Sequence, residues 1–130
     1  MEDQKFHVKV VGILFDPKKR MLLVGKNFGD EKYSFLEGDL EYDEELDKTL
    51  KKITKEKTGY KVHNLGAVYA ENMLRNKEKL KIHFLCEATE GKEKPGKNVQ
   101  ELVWIKPSKV EEKLGISLPT RLKEYLIGLE

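Results

Sequence analysis

The sequence predicts an α/β fold in which one mixed β-sheet carries helices on its faces. A β-branched and aromatic segment, residues 6–15, is followed by the turn "DPKKR" and by a second predicted strand, residues 21–26, and this pattern predicts a hairpin. A gradient from acidic residues to lysines predicts a helix over 44–58, which Gly59 ends from its C′ position. Because 130 residues suffice for one compact core, we expect a single domain, residues 1–130.

The remaining elements follow from alternation and turn signals. Asp43 is predicted to be the N-cap of the helix. Apolar residues alternate with Lys81, His83 and Glu87, as in a strand with one buried face. Further strands are predicted over 33–37, 61–71, 79–88 and 100–105, and further helices over 107–113 and 119–128, the last with Leu122, Tyr125, Leu126 and Leu129 toward the core.

Composition limits the classes of function. The net charge of +2 is too balanced to indicate nucleic-acid binding by itself. No apolar run approaches the ~20 residues of a membrane helix, and the charged start "MEDQKFHVKV" lacks the apolar core of a signal peptide. A lone cysteine, Cys86, on the apolar face of a strand predicts a core thiol and a reducing compartment, so we expect a cytoplasmic protein.

Four residues in and around the predicted helix keep a specific spacing. Gly38, Glu44, Glu56 and Gly59 fall where the Nudix hydrolases carry the anchors of their box, G-x5-E-x7-R-E-U-x-E-E-x-G-U, with U an aliphatic residue. The opening hairpin and "ELVWI", with Glu101 before Trp104, also resemble the family's flanking strands. The resemblance covers residues 6–128 and implies an α/β/α sandwich, with Gly38 and Gly59 as its structural glycines.

The chain departs from the family box at residues 38–60 where the chemistry is concentrated. Lys52 stands for the arginine, while Ile53 and Lys57 stand where the family has glutamates. Two lysines and Glu56 sum to +1 over positions 52, 53, 56 and 57, against −2 for one arginine and three glutamates. Since Mg²⁺ prefers hard carboxylate oxygens, this box is degenerate, and standard metal-dependent hydrolysis is expected to be weak or lost.

Each candidate residue has a functional and a structural interpretation. The resemblance implies Glu56 and Glu44 as catalytic residues, with Glu101 as a third metal ligand. Alternatively, Glu44 favours the helix dipole, Glu56 pairs with Lys52, and Glu101 is an exposed strand residue. Lys52 and Lys57 could hold a diphosphate without metal, or simply face solvent. Ile53 continues the apolar seam of Leu46 and Leu50, which predicts packing.

Three functions stay open on the sequence. The first is a protein of pyrophosphohydrolase lineage whose pocket binds a nucleoside diphosphate derivative. The second is an active Nudix pyrophosphohydrolase that uses Mg²⁺ or Mn²⁺ through Glu56 with Glu44 or Glu101. The third is a non-catalytic scaffold or dimerisation domain. Whether the chain is an enzyme, whether it needs a metal cofactor at all, and whether it forms a homodimer are left undecided.

Overall fold

The computed structural model describes residues 7–72 and 79–130. The predicted order of strands and helices is confirmed, with boundaries shifted by a few residues. The predicted connection between the strands of residues 61–71 and 79–88 lies largely outside the described residues. The elements are β1 His7–Asp16, β2 Met21–Asn27, β3 Leu36–Asp39, α1 Leu46–Thr58, β4 Tyr60–Asn72, β5 Lys79–Gly91, β6 Val99–Ile105, a 3-10 turn Pro107–Lys109, α2 Val110–Leu114 and α3 Thr120–Ile127.

Six strands form one mixed sheet in the order β4-β5-β1-β2-β6, and β3 also pairs with β1. The predicted hairpin is confirmed, since β1 and β2 run antiparallel with Leu14 opposite Leu23. Strand β1 pairs with β3 through its first half, where Val10 lies opposite Gly38. Along its opposite edge, β1 pairs with β5, and these two strands run parallel. This central position of β1 gives the sheet its mixed character.

Two apolar cores lie on opposite faces of the sheet. One core contains Leu50 and Ile53 of α1, and we call this side of the sheet the α1 face. The other contains residues of α2 and α3, such as Leu114 and Leu126, and defines the α2/α3 face. Helices therefore cover both faces, and the predicted α/β/α sandwich is confirmed.

The start of α1 differs from the prediction. The helix begins at Leu46, its N-cap position is Glu45, and no side chain caps it, so the predicted cap at Asp43 is wrong. The N–H of Glu44 instead bonds to the carbonyl of Glu41 at 3.2 Å, which makes a turn before the helix and leaves Asp43 exposed. Glu44 is thereby freed from the helix backbone, and its carboxylate can reach side chains of later turns.

The end of α1 is closed by the loop that follows β5. Gly59 ends the helix with φ +83°, as predicted, and a Cβ there would also lie 2.4 Å from the carbonyl oxygen of Lys92. The N–H groups of Lys94 and Gly96 donate to the carbonyls of Thr58 and Lys57 at 2.9 and 3.0 Å. The loop thus satisfies carbonyls that the helix end would leave unpaired.

Two expectations about side-chain burial are wrong. Strand β5 is covered on both faces, because His83 and Leu85 are buried against the α2/α3 face while Phe84 and Cys86 are buried on the other. Tyr125 of α3 is exposed rather than in the core. Cys86 is a core thiol as predicted, and burial raises its pKa to about 12. Among the described residues, no helix is long and apolar enough to cross a membrane.

Candidate functional site

Glu44 and Lys52 form a two-pronged ion pair beside α1. The Nζ atom of Lys52 donates to both carboxylate oxygens of Glu44, at 2.9 and 3.0 Å, and the Thr49 hydroxyl donates to one of them at 3.2 Å. Lys52 lowers the pKa of Glu44, and Glu44 raises the pKa of Lys52. The basic residue at box position 52 therefore holds a box carboxylate in place, although it is lysine rather than arginine.

The other two charged box residues are less engaged. Glu56 is exposed and acts on Lys52 through space, as does Glu41, and both raise the pKa of that lysine. Lys57 is half-buried and has no ion pair within 4.0 Å among the described residues. The Lys52 ammonium group is therefore bound by Glu44 and feels the more distant charges of Glu56 and Glu41.

Ile53 fills the space beside Gly38. The side chain of Ile53 is 6% exposed and belongs to the α1-face core. A Cβ built on Gly38 would lie 2.7 Å from the Cδ1 atom of Ile53 and 2.9 Å from its Cγ1 atom. The strand and the helix are therefore in close contact where the family pattern has a carboxylate on the helix. The predicted packing role of Ile53 is confirmed.

Glu101 lies on β6, away from the charged residues of α1. It follows the alternation of β6, in which Val103 and Ile105 pack on the α2/α3 face and Leu102 and Trp104 on the α1 face. Its carboxylate accepts a short hydrogen bond from the Tyr33 hydroxyl and thereby raises the pKa of that tyrosine. The structure does not bring Glu101 together with the box carboxylates with which the motif groups it.

These residues do not fit the metal centre of the family pattern. Among the described residues, no group of three or more His, Cys, Asp or Glu side chains is arranged to hold a metal ion. Two of the expected carboxylate positions carry an apolar and a cationic side chain, and the nearest carboxylates already share the ammonium group of Lys52. Mg²⁺ is commonly held by one or two carboxylates together with waters and phosphate oxygens, so what the described residues lack is the clustered set of carboxylates of the family pattern.

A cavity of about 590 Å³ lies on the α2/α3 face, between the sheet and the segment that joins α2 to α3. Val11, Phe35, Leu114 and Leu122 give it apolar walls. Its charged lining residues are Lys32, Glu37, Glu71 and Lys81. None of the site residues predicted from the sequence lines it. Volumes of roughly 300–1,000 Å³ with apolar walls and a few polar groups are typical of small-molecule sites.

Strand β3 connects this cavity with the box. Glu37 lines the cavity on one face of the strand, while Gly38 contacts Ile53 on the other. The Nζ atom of Lys81 lies 3.9 Å from the carboxylate of Glu37, and both side chains are largely shielded from solvent. Within residues 7–72 and 79–130, the only ion pair of the Lys81 ammonium group is this long contact with Glu37. Alternation along β5 predicts that Lys81 is exposed, so the sequence does not indicate that this residue lines a cavity.

His83 is the buried polar side chain of the cavity. It is 5% exposed, and its Nδ1 atom has no hydrogen-bond partner among the described residues. Burial, with a smaller contribution from nearby Lys81, lowers the pKa of His83 to about 4, while a hydrogen bond to the backbone of Tyr69 acts in the opposite direction. The imidazole is therefore uncharged at neutral pH. The alternation of β5 predicts a polar, outward position for His83. In the structure, however, α2, α3 and the segment between them cover that face of the strand as well, and His83 is buried.

Fold and box together define the class of this protein. The family model for the NUDIX domain matches residues 5–124, so the chain belongs to the Nudix family. No curated protein matches the chain significantly.

The chain is similar in fold to solved Nudix structures at low sequence identity. A NUDIX hydrolase from Nitrosomonas europaea is 16% identical over 97% of this chain and 92% of its own, with a TM-score of 0.71. A MutT structure, from a study of the Aliivibrio salmonicida and Vibrio cholerae proteins, is 16% identical over 94% and 96%, with a TM-score of 0.76. An ADP-ribose pyrophosphatase from Streptococcus suis is 16% identical over 95% and 87%, with a TM-score of 0.70.

Proposed function

We propose that this Nudix domain binds a nucleoside diphosphate derivative and does not hydrolyse it through a box metal centre. The observation that carries the proposal is Ile53, buried against Gly38 where the family pattern has a carboxylate. An apolar side chain in a close-packed contact leaves neither a ligand nor room for one. The family supplies the ligand class, and the open cavity on the α2/α3 face supplies a place for it.

Lysines provide the charge for the diphosphate in this proposal. Lys57 has no ion-pair partner among the described residues and offers a free ammonium beside the helix end. Lys52 offers less, because Glu44 already neutralises it. Lys81 lines the cavity, and its one ion pair in the described part of the chain is the 3.9 Å contact with Glu37. Lys57 belongs to α1, across the sheet from the α2/α3-face cavity, so a ligand held in that cavity would place its phosphate group at Lys81.

A specific observation favours weak hydrolysis as a second candidate function. Glu41, Glu44 and Glu56 all act on the ammonium group of Lys52, so three carboxylates already share one region of α1 and its preceding loop. With Glu56 and Glu44 as its protein ligands, a Mg²⁺ or Mn²⁺ ion would have to displace that ammonium. The third candidate, a scaffold, is favoured less, because the cavity is open and the exposed apolar side chains are scattered over different elements.

The first experiment separates binding from turnover. ADP-ribose, nucleoside diphosphates and nucleoside triphosphates are titrated into the protein by calorimetry, in chelator and then in Mg²⁺ or Mn²⁺, and product release is measured in parallel. We expect the ligand to bind in chelator as well as in metal. We also expect that any residual product release is the same for the wild type and the Glu56→Gln variant. Metal-dependent turnover that is lost in Glu56→Gln would instead establish the hydrolase.

A second experiment restores the carboxylates. The double substitution Ile53→Glu/Lys57→Glu returns both glutamates of the family pattern, and Ile53→Gln/Lys57→Gln is its matched neutral control. We expect Mg²⁺-dependent cleavage in the first variant only, together with a loss of stability of about 2 kcal/mol or more in both, because a buried apolar side chain is replaced by a polar one. If both folded variants stay inactive, more than the two carboxylates has been lost.

A further inference from the structure

A second cavity lies where β1 turns into β2. Its volume is about 330 Å³, and it shares no lining residue with the cavity on the α2/α3 face. Phe15, Tyr60 and Trp104 line it, from the end of β1, the start of β4 and the middle of β6. Aromatic residues from three separate strands therefore meet around one cavity, outside the proposed diphosphate site.

The polar atoms of two of these aromatic side chains are already bound. The Tyr60 hydroxyl and the Trp104 indole N–H both donate to the Oε1 atom of Glu93, at 3.3 and 2.6 Å. Both side chains are half-buried, so part of their surface is open to solvent. Because their donors are occupied, they offer a ligand aromatic surface rather than a hydrogen bond. The faces of aromatic rings attract cations.

The charge around this cavity is negative. Asp16 and Glu87 line it, Glu93 adjoins it through the two aromatic side chains, and Lys18 is the one cationic residue among its described lining residues. In the described part of the chain, none of the three carboxylates forms a salt bridge within 4.0 Å. Burial raises the pKa of Tyr60, and so do the charge and hydrogen bond of Glu93 and the charge of Asp16. An anion would therefore be repelled here, and a cation attracted.

We propose that this cavity binds a small organic cation through a quaternary ammonium group, which contacts the aromatic residues and is attracted by the carboxylates of Asp16 and Glu87. Methyl groups on the nitrogen cover the aromatic surface, while the positive charge is stabilised by the rings and by the nearby carboxylates. This inference is independent of the proposed diphosphate binding and adds a second ligand site to the domain.

The hydrogen bonds of Asp16 favour a quaternary over a primary ammonium group. Its Oδ1 atom already accepts the N–H groups of Lys18 and Lys19, at 2.9 and 3.2 Å. A primary ammonium has three protons that need acceptors, whereas a quaternary ammonium has none and needs only charge and apolar contact. A cavity with aromatic residues and partly occupied acceptors therefore suits the methylated cation better.

The test uses Trp104 as its reporter. The chain has 1 tryptophan, so the indole N–H signal in ¹⁵N-resolved NMR spectra and the tryptophan fluorescence both report on this cavity. Choline chloride is added at an ionic strength held constant with sodium chloride. The neutral probe is the alcohol in which a tert-butyl group replaces the trimethylammonium group of choline, and ethanolamine is the probe with a primary ammonium.

Three variants accompany the wild type. Asp16→Asn and Glu87→Gln each remove one lining charge with little change of shape, and asparagine keeps an oxygen that accepts the N–H bonds of the turn. Glu112→Gln, at an exposed position of α2, makes the same change of net charge away from the cavity. Thermal melting checks that all three variants are folded.

We expect choline to shift the indole signal saturably, with a Kd of about 1 mM, and both other probes to bind about 10-fold more weakly. Asp16→Asn and Glu87→Gln should each weaken choline about threefold, because one of the attracting charges is lost, and should leave the neutral probe unchanged. Glu112→Gln should bind all three probes like the wild type.

Several results would overturn the proposal. An indole signal that does not move in about 100 mM choline would show that the cation does not bind at this cavity. Equal affinities for choline and the neutral alcohol would show a merely apolar depression, and tighter binding of ethanolamine would show that methyl groups are not recognised. Choline affinities that stay at the wild-type value in both Asp16→Asn and Glu87→Gln would show that the lining carboxylates do not attract it.

Discussion

The two faces of the sheet differ in how their polar side chains are buried and paired. On the α1 face, where the family motif lies, Ile53 is buried against Gly38 and the charged residues of the box pair with one another at the surface. On the α2/α3 face, where the motif predicts nothing, a buried imidazole nitrogen has no partner among the described residues and lies beside a cavity of about 590 Å³. The first face resembles a closed core, and the second resembles a site.

The contrast separates ancestry from present use. At position 53, where the family box has a glutamate, this chain has an isoleucine that is buried in the α1-face core. An unpaired buried polar atom, in contrast, has a cost in the protein as it is now. Substitutions on the two faces should therefore behave differently.

The largest expected effect concerns the tight closure at the end of α1. A Cβ on Gly96 would lie 1.7 Å from the carbonyl oxygen of Glu56, so Gly96→Ala must push the loop away from the helix and break the bond from Gly96 N–H to Lys57. We expect the free energy of unfolding to fall by about 3 kcal/mol. Urea denaturation followed by circular dichroism measures this change.

Gly128→Ala is the matched control for this substitution. Its residue has φ −63° at the end of α3, and the nearest atom to an added Cβ is 3.3 Å away. We expect a change within about 0.5 kcal/mol, as for ordinary surface sites. Equal effects of the two alanines would show that the loop is not packed on α1 and that this face is more open than the structure indicates.

The next expected effect tests the other face through pH. His83 has a pKa of about 4 in the folded protein and about 6.5 when unfolded, so below pH 6.5 the unfolded chain binds the extra proton. Stability should therefore fall as the pH decreases from 6.5 to 4, by up to about 3 kcal/mol, and should not depend on this group above pH 7.

The measurement is urea denaturation at several pH values for the wild type and His83→Leu. Glu37, Glu71 and Lys81 line the same cavity and are unchanged in the variant, so the difference between the two proteins isolates the histidine. The variant should lose less stability on acidification. Parallel pH profiles for the two proteins would mean that the imidazole is hydrated and not buried, which would weaken the contrast between the faces.

Local sequence signals predict the framework and much less of the site. The hairpin, the end of α1 at Gly59 and the apolar seam that includes Ile53 each depend on a few neighbouring residues, and all are predicted correctly. The predicted N-cap is wrong because Glu44 bonds to Lys52, eight residues away, and the helix begins after it. Short-range propensity does not contain that contact.

The site could not be predicted because it depends on which faces are covered. Alternation along β5 places His83 on a polar face, and only the packing of α2 and α3 converts that face into a cavity wall. In the same way, the resemblance of "ELVWI" to the family's late strand groups Glu101 with Glu56, although the alternation of β6 puts it with Tyr33. The spacing of a motif fixes positions along the chain, while the topology decides which side chains meet.

The smallest expected effect, and the most direct test of the closed face, is a double-mutant cycle at Gly38 and Ile53. Alanine in a strand normally costs less conformational entropy than glycine, by roughly 0.5–1 kcal/mol, so Gly38→Ala should stabilise the protein if the site has room. Because the added Cβ would lie 2.7 Å from the Cδ1 atom of Ile53, we expect a loss of about 1 kcal/mol instead.

The second half of the cycle removes the opposing atoms. Ile53→Ala alone should cost about 2 kcal/mol or more through the cavity that it leaves. In that background Gly38→Ala has space and should become neutral or stabilising, so the coupling energy from urea denaturation should be about 1–2 kcal/mol. Additive effects would mean that Ile53 does not press on Gly38. The space beside Gly38 would then be free for a carboxylate, and the main objection to a metal at this box would lose its physical basis.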